Sequence, residues 1–131
     1  MIDCDWAYAA GIIDGEGSIS IHRKQKSFVL AVQVGVTDLI LVDWMWITFG
    51  GNINHYQPPG DRKEVFIWKL HGTKAQEFIR GIMPYLKLKI EKAELALTFR
   101  VGGGYDEHEE LYNQYCSMRS TKANHLRGLH R

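Results

Sequence analysis

Residues 6–17 decide the fold of this chain, and they read WAYAAGIIDGEG. Small residues recur at every fourth position, Ala7, Gly11 and Gly15, so a helix through this stretch carries them on one face. A helix face without side-chain bulk lets a second helix approach closely. The closing DGEG places two acids where the glycines leave the backbone free to turn.

The two acids, Asp14 and Glu16, fall at the carboxyl end of this helix. The ordinary interpretation is a glycine-capped helix end with two solvated acids. Negative charge at the negative end of a helix is unfavourable, however, unless a cation or a hydrogen-bond donor compensates for it. That cost favours a metal ion close to this helix end.

Length and composition indicate one globular domain. The chain has 131 residues, of which 45% are hydrophobic, which is sufficient for a real core. We place the domain at residues 1–118 and a basic, mobile C-terminal tail at residues 119–131. No apolar run is long enough to span a bilayer, and the N-terminus does not resemble a signal peptide. Cys4 and Cys116 are too few for a disulfide scaffold. We therefore expect a cytoplasmic or organellar protein that is neither secreted nor membrane-bound.

The net charge of +1 says little about partners, but the basic residues are clustered. They concentrate at residues 22–26, 62–63, 87–92 and 119–131, whereas acids gather at residues 106–110. A nearly neutral protein can therefore present a basic face.

Hydrophobic periodicity and turn signals predict an α+β domain. The predicted helices cover residues 3–14, 38–49, 73–83, 86–101 and 107–118, and the predicted strands cover residues 18–23, 28–36, 52–56 and 65–70. Thr37 is the predicted N-cap of the second helix, which is apolar almost all round and should be deeply packed. Thr73 opens a capping-box pattern for the third helix. Trp44, Trp46 and Trp68 lie in apolar segments and are predicted to be core residues.

The predicted order is α-β-β-α-β-β-α, with further helices behind. Helices on one face of a four-stranded antiparallel sheet leave the other face uncovered. Strand alternation gives that open face Ser20, His22, Lys24, Gln33, Asn54 and Lys69. An uncovered polar sheet face is a candidate for nucleic acid, because a β-ribbon fits the major groove of DNA.

The sequence resembles the LAGLIDADG homing endonucleases in two stretches and in the predicted order of its helices and strands. Residues 9–17, AAGIIDGEG, match the motif that names the family, with alanine for its first leucine and glutamate for its last acid. Residues 84–89, PYLKLK, are similar to a second family landmark, a proline-aromatic-leucine step into a helix with a functional lysine. The resemblance covers at least residues 5–101 and implies the αββαββα core with a saddle-shaped sheet.

The resemblance also implies how the chain works. Family members with one motif are homodimers, so the face formed by Ala7, Gly11 and Gly15 would meet its copy at a two-fold axis. Glu16 would be a catalytic metal ligand together with the Gly15 carbonyl, and Asp14 would support the helix end. Lys89 would supply positive charge near the attacked phosphate. The implied cofactor is Mg²⁺, with Mn²⁺ able to substitute and Ca²⁺ able to bind without supporting cleavage.

The implied function is a site-specific double-strand DNA endonuclease, encoded in an intron and acting on a long pseudo-palindromic target. The residues predicted to contact DNA are Ser20, His22, Lys24, Gln33, Asn54, Tyr56, Arg62, Lys63, Lys69, Arg119 and Lys122. The histidines show no paired ligand spacing, so a zinc site is not expected.

Two alternatives remain on the same fold: an RNA maturase that assists intron splicing, and a DNA-binding regulator that does not cleave. The departures from the family pattern keep them open. Val36 stands where the family often has a polar residue, and Ile40 stands where some members have a basic one. Unless Thr37 or Asp38 substitutes, slow cleavage or binding without cleavage is expected.

Overall fold

The computed structural model describes the backbone of residues 2–129 and the side chains of residues 2–118. The elements follow the predicted α+β order, with two helices after the αββαββα core. They are α1 (Asp3–Glu16), β1 (Gly17–Lys24), β2 (Ser27–Val36), α2 (Leu39–Phe49), β3 (Asn52–Tyr56), β4 (Val65–His71), α3 (Gly72–Ile82), α4 (Ile90–Thr98) and α5 (Tyr105–Leu129). Within the described residues, no helix is long and apolar enough to cross a membrane.

The four strands form one antiparallel sheet in the order β1-β2-β4-β3. Residues directly opposite one another in such a sheet share a face, and the register pairs Ile21 with Leu30, Ile19 with Val32 and Val32 with Leu70. These side chains are buried under the helices, as the alternation predicted. The sheet therefore has one face packed on the core and one left uncovered by the described helices.

Helix α2 is not deeply packed, contrary to the prediction. Only Val42 and Met45 are buried, whereas Ile40 is 80% exposed and Ile47 is 75% exposed. Trp46 is also half exposed, so its assignment to the core is wrong, although Trp68 is completely buried. An all-apolar helix has no periodic signal to show which stripe faces the sheet, and the sequence could not reveal the exposed one.

Two predicted helix caps are wrong. Asp38, not Thr37, is the N-cap of α2, and its carboxylate accepts the N–H of Ile40 at 3.0 Å. Helix α3 begins directly after β4 with His71 at its N-cap position, so the capping box at Thr73 does not form. Residues Met83–Tyr85 then form a short 3-10 turn around Pro84.

The last two helices differ from their predicted limits. Helix α4 runs from Ile90 to Thr98 and is shorter at both ends than the predicted range of residues 86–101. Helix α5 continues beyond Met118 to Leu129, so its predicted end is wrong. The division of the chain at residue 118 stays a prediction.

Candidate catalytic site and nucleic-acid interface

The end of α1 is joined to β1 through a close backbone contact at Gly17. A Cβ there would lie 2.8 Å from the Ile13 Cα and 3.1 Å from the Gln33 carbonyl oxygen. The φ angle of Gly17 is −104°, which any residue can adopt. Glycine is required at this position because a side chain would not fit, not because the backbone makes a turn. The expectation that glycine frees the backbone to turn here is therefore wrong. Asp14, Gly15 and Glu16 remain helical, and the strand starts immediately after them.

Asp14 is held by the backbone that leads into α4. Its carboxylate accepts the N–H groups of Lys87 at 2.7 Å, Leu88 at 3.2 Å and Lys89 at 3.1 Å. These donors explain how an acid is tolerated at the negative end of a helix. A carboxylate with three N–H donors is also strongly oriented, because charge-assisted hydrogen bonds are short and directional.

Lys89 also contacts Asp14 through its side chain. Its Nζ donates to the carbonyl oxygen of Asp14 at 2.8 Å. We call these four hydrogen bonds between Asp14 and residues 87–89 the clasp. They bring together the two stretches that carried the family resemblance, and they place an ammonium group at the carboxyl end of α1.

Glu16 is arranged differently from Asp14. It is exposed, and its carboxylate forms no hydrogen bond or ion pair with any described residue. Of the two acids, Glu16 is therefore the one available to a ligand. The Gly15 carbonyl belongs to the same last turn, where carbonyls have no partner within the helix.

The oxygen donors at this helix end suit a hard divalent cation. One copy of the chain does not complete such a site, however. Among the side chains of residues 2–118, no three His, Cys, Asp or Glu groups come together as a metal-binding cluster.

The small-residue face of α1 is directed away from the core. Ala9, Ala10, Ile12 and Ile13 are buried, whereas Ala7, Gly11 and Gly15 are exposed. A Cβ at Gly11 or Gly15 would have no atom within 4 Å. These glycines therefore serve no close packing within the described part of the chain.

The register brings the predicted contact residues of the four strands onto the open face of the sheet. Ser20 lies opposite Ala31, Gln33 lies between Ser18 and Lys69, and Tyr56 lies opposite Val65. The predicted residues on this face are Ser20, His22, Lys24, Gln33, Asn54, Tyr56 and Lys69, all half-buried or exposed. Gly35, Val65 and Ile67 form an apolar part of the same face.

Arg62 and Lys63 extend from the loop that joins β3 to β4, and both are exposed. The loop is closed by the Gln57 side chain, whose Nε2 donates to the Arg62 carbonyl at 2.9 Å. His55 and Glu64 pair across its base at 2.9 Å. The side chains of Arg119 and Lys122 lie outside the described residues.

His71 was not selected from the sequence, although it lies on the open face opposite Ala31. Strand β4 was predicted to end at residue 70, which left His71 outside it. The alternation of Ile67, Lys69 and His71 was the signal that could have identified it.

Burial, Lys69 and Lys24 lower the pKa of His22 below its ordinary value, in that order of size. Burial, Lys69, His22 and Lys24 lower the pKa of His71. Both rings are therefore harder to protonate than an ordinary imidazole in the free protein.

Val36 lies on the helix side of the sheet, packed against the core opposite Phe66. It offers no polar group to the site. Asp38 is already occupied as the cap of α2, which leaves Thr37 as the substitute suggested by the sequence.

Comparison with solved structures identifies the fold. The chain shares it with LAGLIDADG homing endonucleases. The archaeal intron-encoded homing endonuclease I-Vdi141I, in complex with DNA, matches 88% of this chain and 84% of its own at 16% identity, with a TM-score of 0.68. The homing endonuclease I-CvuI, in complex with its target in the presence of Ca, matches 72% of this chain at 24% identity, with a TM-score of 0.60.

The matched part spans 64% of the I-CvuI chain, just under two thirds. For the LAGLIDADG homing endonuclease I-GzeII, in complex with its DNA target, 70% of this chain matches 33% of that one at 20% identity, with a TM-score of 0.50. No family profile matches the sequence, and no curated protein matches it. The resemblance to the family's fold, noted from residues 9–17 and 84–89, is thus confirmed in three dimensions.

Proposed function

We propose that this protein is a homodimeric, divalent-metal-dependent endonuclease that cuts double-stranded DNA at a specific site. The clasp is the observation that carries the proposal. It uses Asp14 for structure, leaves Glu16 unengaged, and holds the Lys89 ammonium at the same helix end. An exposed carboxylate with a cation close to its helix end suits the hydrolysis of a phosphodiester.

Glu16 and the Gly15 carbonyl are the proposed metal ligands of each protomer. Mg²⁺ needs few protein ligands because it keeps waters and accepts phosphate oxygens. When bound, such ions activate a water and stabilise the leaving oxygen of an in-line displacement. We propose Mg²⁺ as the cofactor, Mn²⁺ as a substitute, and Ca²⁺ as an ion that binds without supporting cleavage. I-CvuI was crystallised with DNA in the presence of Mg and of Ca, which supports a divalent metal.

The remaining chemistry falls to residues of the chain. The Lys89 ammonium would face developing negative charge on the attacked phosphate, where a preplaced cation stabilises the transition state. Asp14 positions Lys89 by holding the backbone of residues 87–89. It thus acts through its neighbours and does not touch the substrate.

The proposed dimer forms through the exposed face of α1. Two helices can approach closely along Ala7, Gly11 and Gly15, because no side-chain bulk separates them. This contact would bring two Glu16 carboxylates together and complete a site that one chain leaves incomplete.

An apolar surface on α2 continues this face and supports the same partner, a second copy. A groove between α1 and α2 is lined by Cys4 and Tyr8 on one side and by Ile40 and Trp44 on the other. The Tyr8 and Trp44 rings meet edge to face at 5.1 Å. Ile47 extends the stripe by one turn and is also exposed. Exposed contiguous apolar surface of this kind marks an interface.

The open sheet face is the proposed DNA-reading surface. Its amide and hydroxyl groups suit base edges, its imidazole and ammonium groups suit base edges and phosphate oxygens, and its valine and isoleucine side chains suit thymine methyl groups. Arg62 and Lys63, together with Arg119 and Lys122, are proposed phosphate contacts, which add affinity rather than specificity. Two-fold symmetry implies two related half-sites in the target. The DNA complexes among the structural relatives favour this reading over an RNA maturase.

A cleavage assay on a plasmid library with randomised inserts tests the proposal. We expect Mg²⁺-dependent double-strand cuts within a selected set of inserts. Glu16→Gln should reduce cleavage by at least about 100-fold, since it removes a metal ligand, and should leave binding to the selected inserts intact. Glu94→Gln, an exposed acid of α4, is the matched control and should cleave normally. Normal cleavage by Glu16→Gln would refute the assignment of the metal ligand.

A further inference from the structure

One end of the open face carries two histidines on either side of β2. His22 of β1 lies opposite Val29, and His71 of β4 lies opposite Ala31, the next residue of β2 on that face. Ala31 is only 1% exposed although it faces the uncovered side. The longer side chains around Ala31 therefore surround a shallow depression in this face.

Two lysines belong to the same group. Lys69 lies two residues before His71 on β4, and Lys24 lies two residues after His22 on β1. Residues two apart on a strand share a face. We call His22, Lys24, Lys69 and His71 the histidine–lysine cluster.

The charges near the two rings are all of one kind. Among the described residues, the charged groups that act on both rings are Lys69 and Lys24, and His22 also acts on His71. Arg23 of β1 turns to the helix side, where it approaches Glu109 at 3.8 Å and lies over the Phe28 ring. Strand β2 contributes no titratable side chain between them. The cluster therefore contains unbalanced positive charge and two proton acceptors on a face open to solvent.

We propose that the histidine–lysine cluster is a proton-linked phosphate-binding site, in which His22 and His71 each take up one proton from solvent as duplex DNA binds. This inference rests on the proposed function and adds the coupling between protons and DNA. Phosphate charges offset the lysines that keep the rings neutral, and an opposite charge nearby favours the protonated ring. An imidazolium then has an N–H on both ring nitrogens and can donate to phosphate oxygens.

The direction of the pH effect follows from linkage. If DNA raises the pKa of both rings, the complex binds more protons than the free protein at any pH between the pKa values of the free and the DNA-bound rings. Affinity then rises as the pH falls through that window, by up to about tenfold per pH unit for each ring that is fully titrating. The salt dependence from Lys24 and Lys69 remains on both sides of the window.

Fluorescence anisotropy with a labelled duplex of randomised sequence, in EDTA to prevent cleavage, measures this coupling. We expect the dissociation constant to fall several-fold or more between about pH 8 and about pH 6, where histidine titrates. The double variant His22→Gln/His71→Gln should bind the duplex with little change over the same range. His55→Gln is the matched control, since His55 lies on the other side of the sheet and pairs with Glu64. It should keep the full pH dependence.

NMR titration of the histidine Cε1–H resonances gives a second, direct measurement. The pKa values of His22 and His71 should rise when the duplex is added. Binding that does not vary with pH, or that varies equally in the double variant, would overturn the inference and leave the proposed function standing. A protein that fails to bind DNA at any pH would overturn both.

Discussion

At the scale of single residues, Asp14 and Glu16 look equivalent in the sequence but have different surroundings in the structure. Asp14 accepts three backbone N–H groups and is held in the clasp, whereas Glu16 is exposed and unengaged by the described residues. The sequence supported this division only through the family resemblance. The donors come from residues more than 70 positions away, and no local pattern reports such a contact.

Replacing Asp14 tests its structural role. Asp14→Ala should lower the free energy of unfolding by about 1–3 kcal/mol, because three N–H groups lose their acceptor. Urea denaturation followed by circular dichroism measures the loss. Glu16→Gln serves as the control and should unfold like the unaltered protein, since Glu16 has no partner among the described residues. Equal stability of Asp14→Ala and Glu16→Gln would contradict the role assigned to the clasp.

The two histidines of the open face make the stability of the free protein depend on pH. Their pKa values are lowered in the folded chain, so the unfolded chain binds more protons below the ordinary value of about 6.5. Their contribution is therefore fully present above that pH and is lost as the pH falls toward the folded values.

Thermal melts without DNA should show this decline between about pH 7 and about pH 5. The decline should become shallower in His22→Gln/His71→Gln. A steeper decline in that variant would show that the sign of the histidine contribution is wrong.

At the scale of elements, packing explains both what the sequence predicted and what it missed. The strands were predicted to within one or two residues, because alternation between Ile19, Ile21 and their polar neighbours is a strong signal of period two. Helix α4 was predicted too long at both ends, because the apolar spacing from Leu86 onward does not show that residues 87–89 lie outside the helix, where their N–H groups donate to Asp14. The exposed stripe of α2 was missed, because apolar composition does not distinguish a core from an interface.

Helices α1 and α3 pack closely where Trp6 of α1 meets Gly81 of α3. A Cβ at Gly81 would overlap the Trp6 ring, which also packs on Phe49 and Phe78 with centroids 5.2 Å and 6.1 Å away. Because Gly81 has no side chain, Trp6 and therefore α1 can lie close to α3.

Gly81→Ala should therefore destabilise the fold by about 1–3 kcal/mol, despite alanine's better helix propensity. Chemical denaturation measures the cost. Arg80→Ala, an exposed neighbour on the same helix, should be nearly neutral. The double variant Trp6→Leu/Gly81→Ala should lose less stability than the sum of the single changes, because the overlap disappears with the ring.

At the scale of the whole molecule, one chain exposes two neighbouring surfaces that we propose are covered by a second copy. Among the described residues, no atom of another element lies within 4 Å of a Cβ placed at Gly11 or Gly15, and the apolar stripe of α2 continues from this face. The sequence predicted the first of these surfaces but not the second. Neither an oligomeric state nor a DNA-binding site can be read from local sequence patterns, since both depend on a second molecule.

The α2 stripe provides a test of the proposed dimer that leaves the proposed catalytic residues unchanged. Ile40→Asp/Ile47→Asp should weaken self-association by more than about tenfold, because charges would be buried in an apolar contact. Analytical ultracentrifugation measures the association constant. Both side chains are exposed in the single chain, so the unfolding midpoint at a concentration that keeps both proteins monomeric should not change.

Val101→Asp, a charge placed on an exposed valine after α4, should leave association unaltered. If the α2 variant associates as tightly as the unaltered chain, the α2 stripe is not part of the dimer.

The clasp has a consequence for the order in which the protein can be made. Its two halves are 75 residues apart in the chain, and closing so long a loop is entropically costly until the intervening strands and helices have formed. A ribosome-bound chain that has not released residue 89 holds Glu16 without the lysine that accompanies it. The clasp therefore cannot form until the chain up to residue 89 has been made. On the proposed function, a fragment that ends before residue 89 should therefore not cleave DNA.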